Sequence, residues 1–286
     1  MLRIKISFFI ITLFAGLVAV LPIAQSADTT TVTTTTDDDD EKVTVTATKA
    51  LRDLGCVVKA GSNCVRKDLR KLAQMNLTSV DLTGMNFTGS DLTGVDFSKA
   101  ILNKVNFSGT NLTGANLTKA EANSANFSNA NLTKANLTRI DADGANFTGT
   151  SLREANLTSG SFIKGKFNKV KAARAILSGA DFSKSSGTGA DFSYADLTEA
   201  NFEQVNFKSA NFTKSSGIDT RFADAQLSGA KFVSAELQDP DFSGTNLSKA
   251  NLTKSTISID ILDSANYCGA TLRDGYLEDD ENCNNI

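Results

Sequence analysis

The chain of 286 residues contains no histidine, no tryptophan, two prolines, three tyrosines and four cysteines. These scarcities exclude whole classes of chemistry. Hydrolytic triads need a base, usually histidine, and none is present. Without histidine, and without any Cys-x-x-Cys spacing, the usual zinc-site pattern is missing, and no zinc centre is expected. Tyr194, Tyr267 and Tyr276 are scattered. The glycine-containing stretches "KSSGTG" and "KSSG" open no helix, so they are not phosphate loops. No catalytic, cofactor-binding or metal-ligating residue emerges, and the expectation is a non-enzyme with no cofactor.

A strong charge of one sign is also missing, the formal net charge being −3. Residues 1–27 contribute +2, residues 28–42 contribute −5 and the tail 278–281 contributes −4, which leaves about +4 on 43–277. That balance carries no nucleic-acid footprint.

The N-terminus "MLRIKISFFIITLFAGLVAVLPIAQSA" has a basic start, an apolar run and then small residues, the pattern of a secretory signal cleaved after Ser26 or Ala27. The alternative is an uncleaved anchor, since residues 6–24 are almost long enough to span a bilayer. Residues 28–48 are Thr-rich and acidic and cannot bury a core, so they read as a flexible linker. The run Asp37–Asp40 lacks the spaced ligands and turn glycine of a calcium loop and reads as a solvated charge run. Export makes the cysteines informative. Cys56 lies near Cys64 and Cys268 near Cys283. Local pairing would staple each end of the chain; the competing reading is four free thiols in a reducing compartment. Residues 49–74 place Leu and Val at helical spacing, with Ser62 as an N-cap, which suggests a helical cap.

From Leu77 to Leu277 the chain repeats every five residues without insertion or deletion, as in "NLTSVDLTGMNFTGSDLTGVDF". Of 41 successive slots (77, 82, 87 and onward), 36 hold Leu, Phe, Ile or Tyr. The exceptions are Ala122, Ala142, Ala172, Gly187 and Gly217. All 15 phenylalanines beyond residue 20 occupy slots. A small apolar residue, most often Ala, sits two before each slot, Asn or Asp one before, and Thr or Ser one after. A period of five fits neither helix nor strand, so each unit must bury its face by stacking on neighbours.

Units of the form "ANLTGANLTKA" resemble the pentapeptide-repeat family, whose motif is A(D/N)LXX, over about 70% of the chain. The resemblance implies an all-β, right-handed quadrilateral β-solenoid with four pentapeptides per coil, slot residues and those two before them pointing inward. It would span residues 75–277, follow the cap at 49–74, and precede an acidic tail at 278–286. Slots twenty residues apart then stack in columns, and the columns sort by residue type. Phe87, Phe107, Phe127, Phe147, Phe167, Gly187 and Phe207 form one. Leu117 to Leu197, Gly217 and Leu237 form another, and Phe162 to Phe242 a third. Stacking of like side chains accounts for that sorting. About ten coils at ~4.8 Å give a rod ~48 Å long.

The expected function is an exported, non-enzymatic scaffold presenting a polar surface to an unknown protein partner, as a monomer or end-to-end dimer. The compartment would be the periplasm, the thylakoid lumen or the outside. The alternative is a membrane-tethered rod with the Thr/Asp segment as a stalk, membrane contact being expected only if the signal is uncleaved. Two further readings are weaker. A Thr/Ser row (Thr78, Ser98, Thr118, Thr138, Thr158, Ser178, Thr198) could match an ice or crystal lattice, although small polar residues also suit tight turns. Topoisomerase inhibition by DNA mimicry, a role implied by the resemblance, needs a strongly acidic face and a cytosolic address. Carboxylates at 81, 121, 141, 181 and 241 share an outward column, without a cleft to perturb them. Thirteen Asn-x-Ser/Thr triplets follow from the repeat itself; they matter as glycan acceptors only in a eukaryotic secretory route.

Overall fold

The computed structural model describes Cys56, residues 62–74 and residues 77–277. The expected signal sequence, the linker and the 278–286 tail lie outside the described residues.

The repeat region is a right-handed quadrilateral β-solenoid. Each pentapeptide supplies one rung residue, the Asn or Asp before the slot, and each rung pairs in parallel with the one twenty residues on: Asn86↔Asn106↔Asn126↔Asn146 is one ladder. Four ladders define four faces, called I to IV after the rungs that begin at Asp81, Asn86, Asp91 and Asp96. Around each slot the backbone is fully used. The Phe87 N–H donates to the Asn106 carbonyl at 2.8 Å, the Asn106 N–H to the Met85 carbonyl at 2.8 Å, and the Ser90 N–H to the Phe87 carbonyl at 3.0 Å. The last bond closes a turn whose third residue takes a positive φ, such as Gly109 (64°) and Lys119 (58°). Glycine adopts that φ without steric cost, and a side chain there costs about 1–2 kcal/mol. Four such corners per coil, each held by ladder bonds on both sides, let Lys, Ser and Arg occupy them.

The polar letters of the repeat have local causes. The Asn86 side-chain oxygen accepts from the Thr88 N–H at 3.0 Å and from its hydroxyl at 2.6 Å. Between coils the Asn126 amide donates to the Asn106 side-chain oxygen at 3.1 Å. Asn or Asp before the slot therefore braces its own turn and the next coil. Inside, like slots stack. On face II, Phe107, Phe127, Phe147 and Phe167 follow one another at 5.1, 4.9 and 5.0 Å between ring centroids, all within 13° of parallel. On face I, Phe162, Phe182 and Phe202 stack at 5.0 Å. Each such pair contributes about 0.5–1.5 kcal/mol beyond area burial.

Both ends of the repeat depart from expectation. The segment read as a helical cap forms two more solenoid units: Cys64 and Leu69 are five residues apart and fully buried, and their rungs pair as Asn63↔Asn86 and Asp68↔Asp91. Ser62 acts as no N-cap; its carbonyl accepts the Asn86 N–H at 2.9 Å. Helix is confined, among the described residues of 49–74, to a 3₁₀ turn at Arg70–Gln74. That turn absorbs three extra residues, so these rungs are 23 apart instead of 20. The phase shift hides the two units from a strict five-residue register. At the other end a 3₁₀ turn at Ile259–Leu262 replaces a rung while Leu262 stays buried. Parallel pairing resumes at Asn246↔Asn266 and Asn251↔Thr271; then Gly275, at φ 92°, turns the chain back into an antiparallel bridge, Thr271↔Leu277. Leu277 is thus 67% exposed instead of filling a slot.

Candidate functional site

The five irregular slots are all inside. Ala122 and Ala142 lie on face I, Ala172 on face III, Gly187 on face II and Gly217 on face IV, every one buried. At Gly187 the missing Phe is replaced from the next coil. A Cβ there would lie 2.3 Å from Cε1 and 2.5 Å from Cδ1 of Phe207. The Phe207 ring has left its stack, standing 6.3 Å from Phe167 and tilted by 65°. The sequence points to Phe182 and Phe192, in the same coil, as the filling rings; the ring that fills the corner is Phe207. At Gly217 no ring enters. A Cβ there would meet the Thr220 hydroxyl at 2.6 Å and the Leu197 backbone at 3.0 Å, and Thr220 donates to the Leu197 carbonyl at 3.0 Å.

Around Gly217 the repeat also changes its backbone. Two strands, β1 (Ser216–Ile218) and β2 (Glu236–Gln238), pair in parallel with Gly217 opposite Leu237. In most units the slot carbonyl accepts the N–H three residues on, as Ser90 gives to Phe87. Pro240 stands three after Leu237 and has no N–H to give, so this coil runs extended and its partner below follows. In the next rung Thr256 substitutes a side chain for backbone, its hydroxyl accepting the Leu237 N–H at 2.8 Å and donating to the Leu237 carbonyl at 2.6 Å. The flattened coils leave a shallow groove of about 370 Å3 lined by Ser216, Gly217, Ile218, Leu237, Gln238 and Thr256, among others.

Beside this groove, exposed apolar side chains interrupt the polar surface. Between residues 81 and 254, three large hydrophobic side chains are exposed: Ile176 (43%), Tyr194 (49%) and Ile218 (46%). They fall on successive coils, on face IV and its border with face III. The guanidinium of Arg174 and the ammonium of Lys214 stand 5.5 and 5.3 Å from the centre of the Tyr194 ring, one coil below and one above. The rung between Ile176 and Ser216 is Asp196. Partial burial pushes its carboxyl up, but the Thr198 N–H, the Thr198 hydroxyl (2.8 Å) and the Ser178 hydroxyl (2.9 Å) outweigh it and hold the group below the usual range. The site offers a planar aromatic anchor, two aliphatic contacts, two cations and an ionised carboxylate. The Ser178 and Thr198 hydroxyls donate to a carboxylate that is held low and is therefore a poor base, which suits adhesion more than bond-making.

Sequence reasoning passed over these residues because it followed columns of like residues, and Ile176, Tyr194 and Ile218 fall in three different columns. The available signal lay outward, where Ile176 and Ile218 break the Asn/Asp and Thr/Ser rules. The Thr/Ser row on the same face is occupied internally: Thr118, Thr138 and Thr158 donate to Asn116, Asn136 and Asn156 at 2.6 Å. The row ends at Ile218. On the border of faces IV and I, Glu199, Asp219, Asp239 and Asp241 surround a second depression with Arg221; among the described residues no three His, Cys, Asp or Glu side chains converge on a metal-sized site. Cys56 and Cys64 form a disulfide. Cys268 is also disulfide-bonded, and Cys283 lies outside the described residues.

Residues 80–157 match the family described as "Pentapeptide repeat region". Residues 166–204, 188–216, 195–232 and 220–258 match "Pentapeptide repeats (8 copies)". No curated protein matches the chain. Among solved structures it is similar to HetL, a pentapeptide repeat protein involved in heterocyst differentiation regulation from the cyanobacterium Nostoc sp. strain PCC 7120, with 26% identity over 75% of this chain and 91% of that one and a TM-score of 0.38. It is similar to QnrB1, a plasmid-mediated fluoroquinolone resistance protein, with 17% identity, 74% and 92% coverage and a TM-score of 0.33. A pentapeptide repeat protein from the Arabidopsis thaliana thylakoid lumen shares 20% identity over 69% of this chain and 90% of that one, with a TM-score of 0.17.

Proposed function

The chain belongs to the pentapeptide-repeat family, and on that premise we propose that it is an exported, non-enzymatic scaffold that docks a protein partner on face IV. The observation that carries this reading is the coincidence of Ile176, Tyr194 and Ile218 in one patch on an otherwise polar solenoid. Exposed apolar clusters rimmed by polar groups mark contact surfaces, and Tyr and Arg are among the residues that most often carry interface energy. The groove beside β1 and β2 gives such a partner a recess to enter. Substituting Ile176→Lys and Ile218→Lys together should leave the solenoid folded, by circular dichroism, and abolish partner capture from the native compartment. Capture that survives the double substitution would overturn the assignment of this patch.

Export is proposed on the basic-apolar-small pattern of residues 1–27 and on the Cys56–Cys64 bridge, a bond that persists in oxidising compartments. The periplasm, the thylakoid lumen and the exterior all qualify. In this reading residues 28–48 are a linker that lets the solenoid stand off from wherever the N-terminus ends. N-terminal sequencing of the protein from its host should find Asp28 or Ala27 first. An intact Met1 would instead favour the tethered form, with 6–24 as the anchor.

A further inference from the structure

The sum of charges over the solenoid conceals their arrangement. The ladders assign every outward residue to a face or a corner. Between residues 81 and 243, face I carries seven carboxylates against Arg221 alone. Face IV adds Asp96, Asp196 and Glu236, and the corner between these two faces is balanced, with Lys99, Lys119 and Arg139 early and Glu199, Asp219 and Asp239 late. The rest of the perimeter has the opposite sign. The corner between faces III and IV carries Lys134, Arg174, Lys214 and Lys254 against Glu154; face III carries Arg153, Lys171 and Lys231 against Asp91 and Asp191. Through residue 254, the half made of faces II and III and their three corners holds fourteen Lys and Arg against four Asp and Glu. The half made of faces IV and I holds four against thirteen. One side of the solenoid is therefore near +10 and the other near −9.

We propose that copies of this chain associate side by side, the cationic side formed by face III and its two flanking corners in one copy lying against the anionic face I of the next. Faces I and III are opposite sides of the square, so each copy presents both members of a complementary pair. An anionic polymer or membrane would account for the basic half alone; a second copy accounts for both. Nine rungs at about 4.8 Å make a face about 43 Å long. Each face is about three extended residues wide, ~10 Å, because the rest of each unit turns the corner. The face alone offers about 430 Å2, and the flanking corners supply the rest of the about 800 Å2 that a standard interface takes from each partner. The contact is heterologous, so it leaves a free face I and a free face III after each addition and builds open rows. Most of the ion pairs are peripheral, so the association is sensitive to salt on the scale of the ~8 Å Debye length at 0.15 M.

The test is sedimentation velocity of the protein purified from its host. The expected result is a weight-average mass that rises with concentration at 20 mM salt without a plateau and falls to the monomer by 500 mM. Two variants then separate faces: Arg153→Glu/Lys171→Glu/Lys231→Glu, and Asp81→Lys/Glu121→Lys/Asp241→Lys. Each alone should stay monomeric at low salt. Their mixture should associate again at low salt, because the intact face I of one variant meets the intact face III of the other, and the now acidic face III of the first meets a face I that has lost its anionic excess. Wild-type protein that remains monomeric at low salt overturns the proposal, as does a mixture that stays monomeric. Monomeric protein that instead binds vesicles containing 30% anionic lipid overturns it in favour of a membrane surface. The salt series on the wild type decides the matter even where a triple variant fails to fold.

Discussion

Replacing Gly187 with alanine should destabilise the solenoid, although alanine is ordinarily the better tolerated residue in a buried slot. The added Cβ would sit 2.3, 2.5 and 3.0 Å from three carbons of the Phe207 ring. Ordinary carbon contacts begin near 3.5 Å, so the ring must retreat by about 1 Å. It is bounded there by Phe192 at 5.7 Å and Phe202 at 5.9 Å. Overpacking of this kind costs about 1–3 kcal/mol. For a domain of about 200 residues each kcal/mol lowers the melting temperature by about 2–4 °C, so a fall of roughly 2–12 °C is expected. The assay is urea and thermal unfolding followed by far-ultraviolet circular dichroism, run for Gly187→Ala, Phe207→Leu and the double variant. Phe207→Leu alone opens a void at the corner and should also destabilise. The two changes should be strongly non-additive, because the smaller side chain makes room for the methyl group. An unchanged or raised midpoint for Gly187→Ala, or strict additivity, would refute the claim that Phe207 fills this corner.

Ser185, two residues before Gly187, has a buried hydroxyl with no hydrogen-bond partner; Ser185→Ala should be neutral or raise stability by about 1 kcal/mol, and a clear loss in urea unfolding would point to a partner for that hydroxyl. Cys56→Ala removes the bridge to Cys64, eight residues away; the chain-entropy account gives a loss of about 2–3 kcal/mol, visible as a lower urea midpoint, with no change if the bridge is not formed in the protein from its host. Asp196, whose carboxyl is held low in the folded state, contributes stability present above its unfolded value and lost as pH falls through the folded one. Its advantage over Asp196→Asn in melting temperature should thus be complete at pH 6 and shrink below pH 4; an advantage that grows on acidification would reverse the sign.

The lattice of the fold was legible because five-residue slots and twenty-residue columns are properties of the string. Phe107, Phe127 and Phe147 could be placed in one stack before any coordinates. What was not legible came from phase and depth. Cys64 and Leu69 belong to the same solenoid, but three extra residues in the Arg70–Gln74 turn break the count. Ile257 and Leu262 keep the count while the backbone between them leaves the ladder. The filling of Gly187 depends on which way Phe207 tilts, and no pattern of letters encodes a side-chain torsion. The segregation of charge stays hidden for a different reason. A sum over 43–277 averages faces that point in opposite directions, and only assignment of each outward residue to its face separates face I from face III. The exposed Ile176, Tyr194 and Ile218 were hidden in the same way, since they are far apart in sequence and occupy three different positions of the repeat.

The claim at the centre of this account is that function resides in the proposed docking patch and not in a catalytic centre. The direct measurement is site-specific photo-cross-linking in the native host, with a benzophenone side chain at Tyr194 and, as a reference on the same face, at Thr138. The account predicts a discrete protein adduct from position 194 that is absent from position 138. Equal adducts from both positions, or none from 194 under conditions where the protein is abundant, would contradict it.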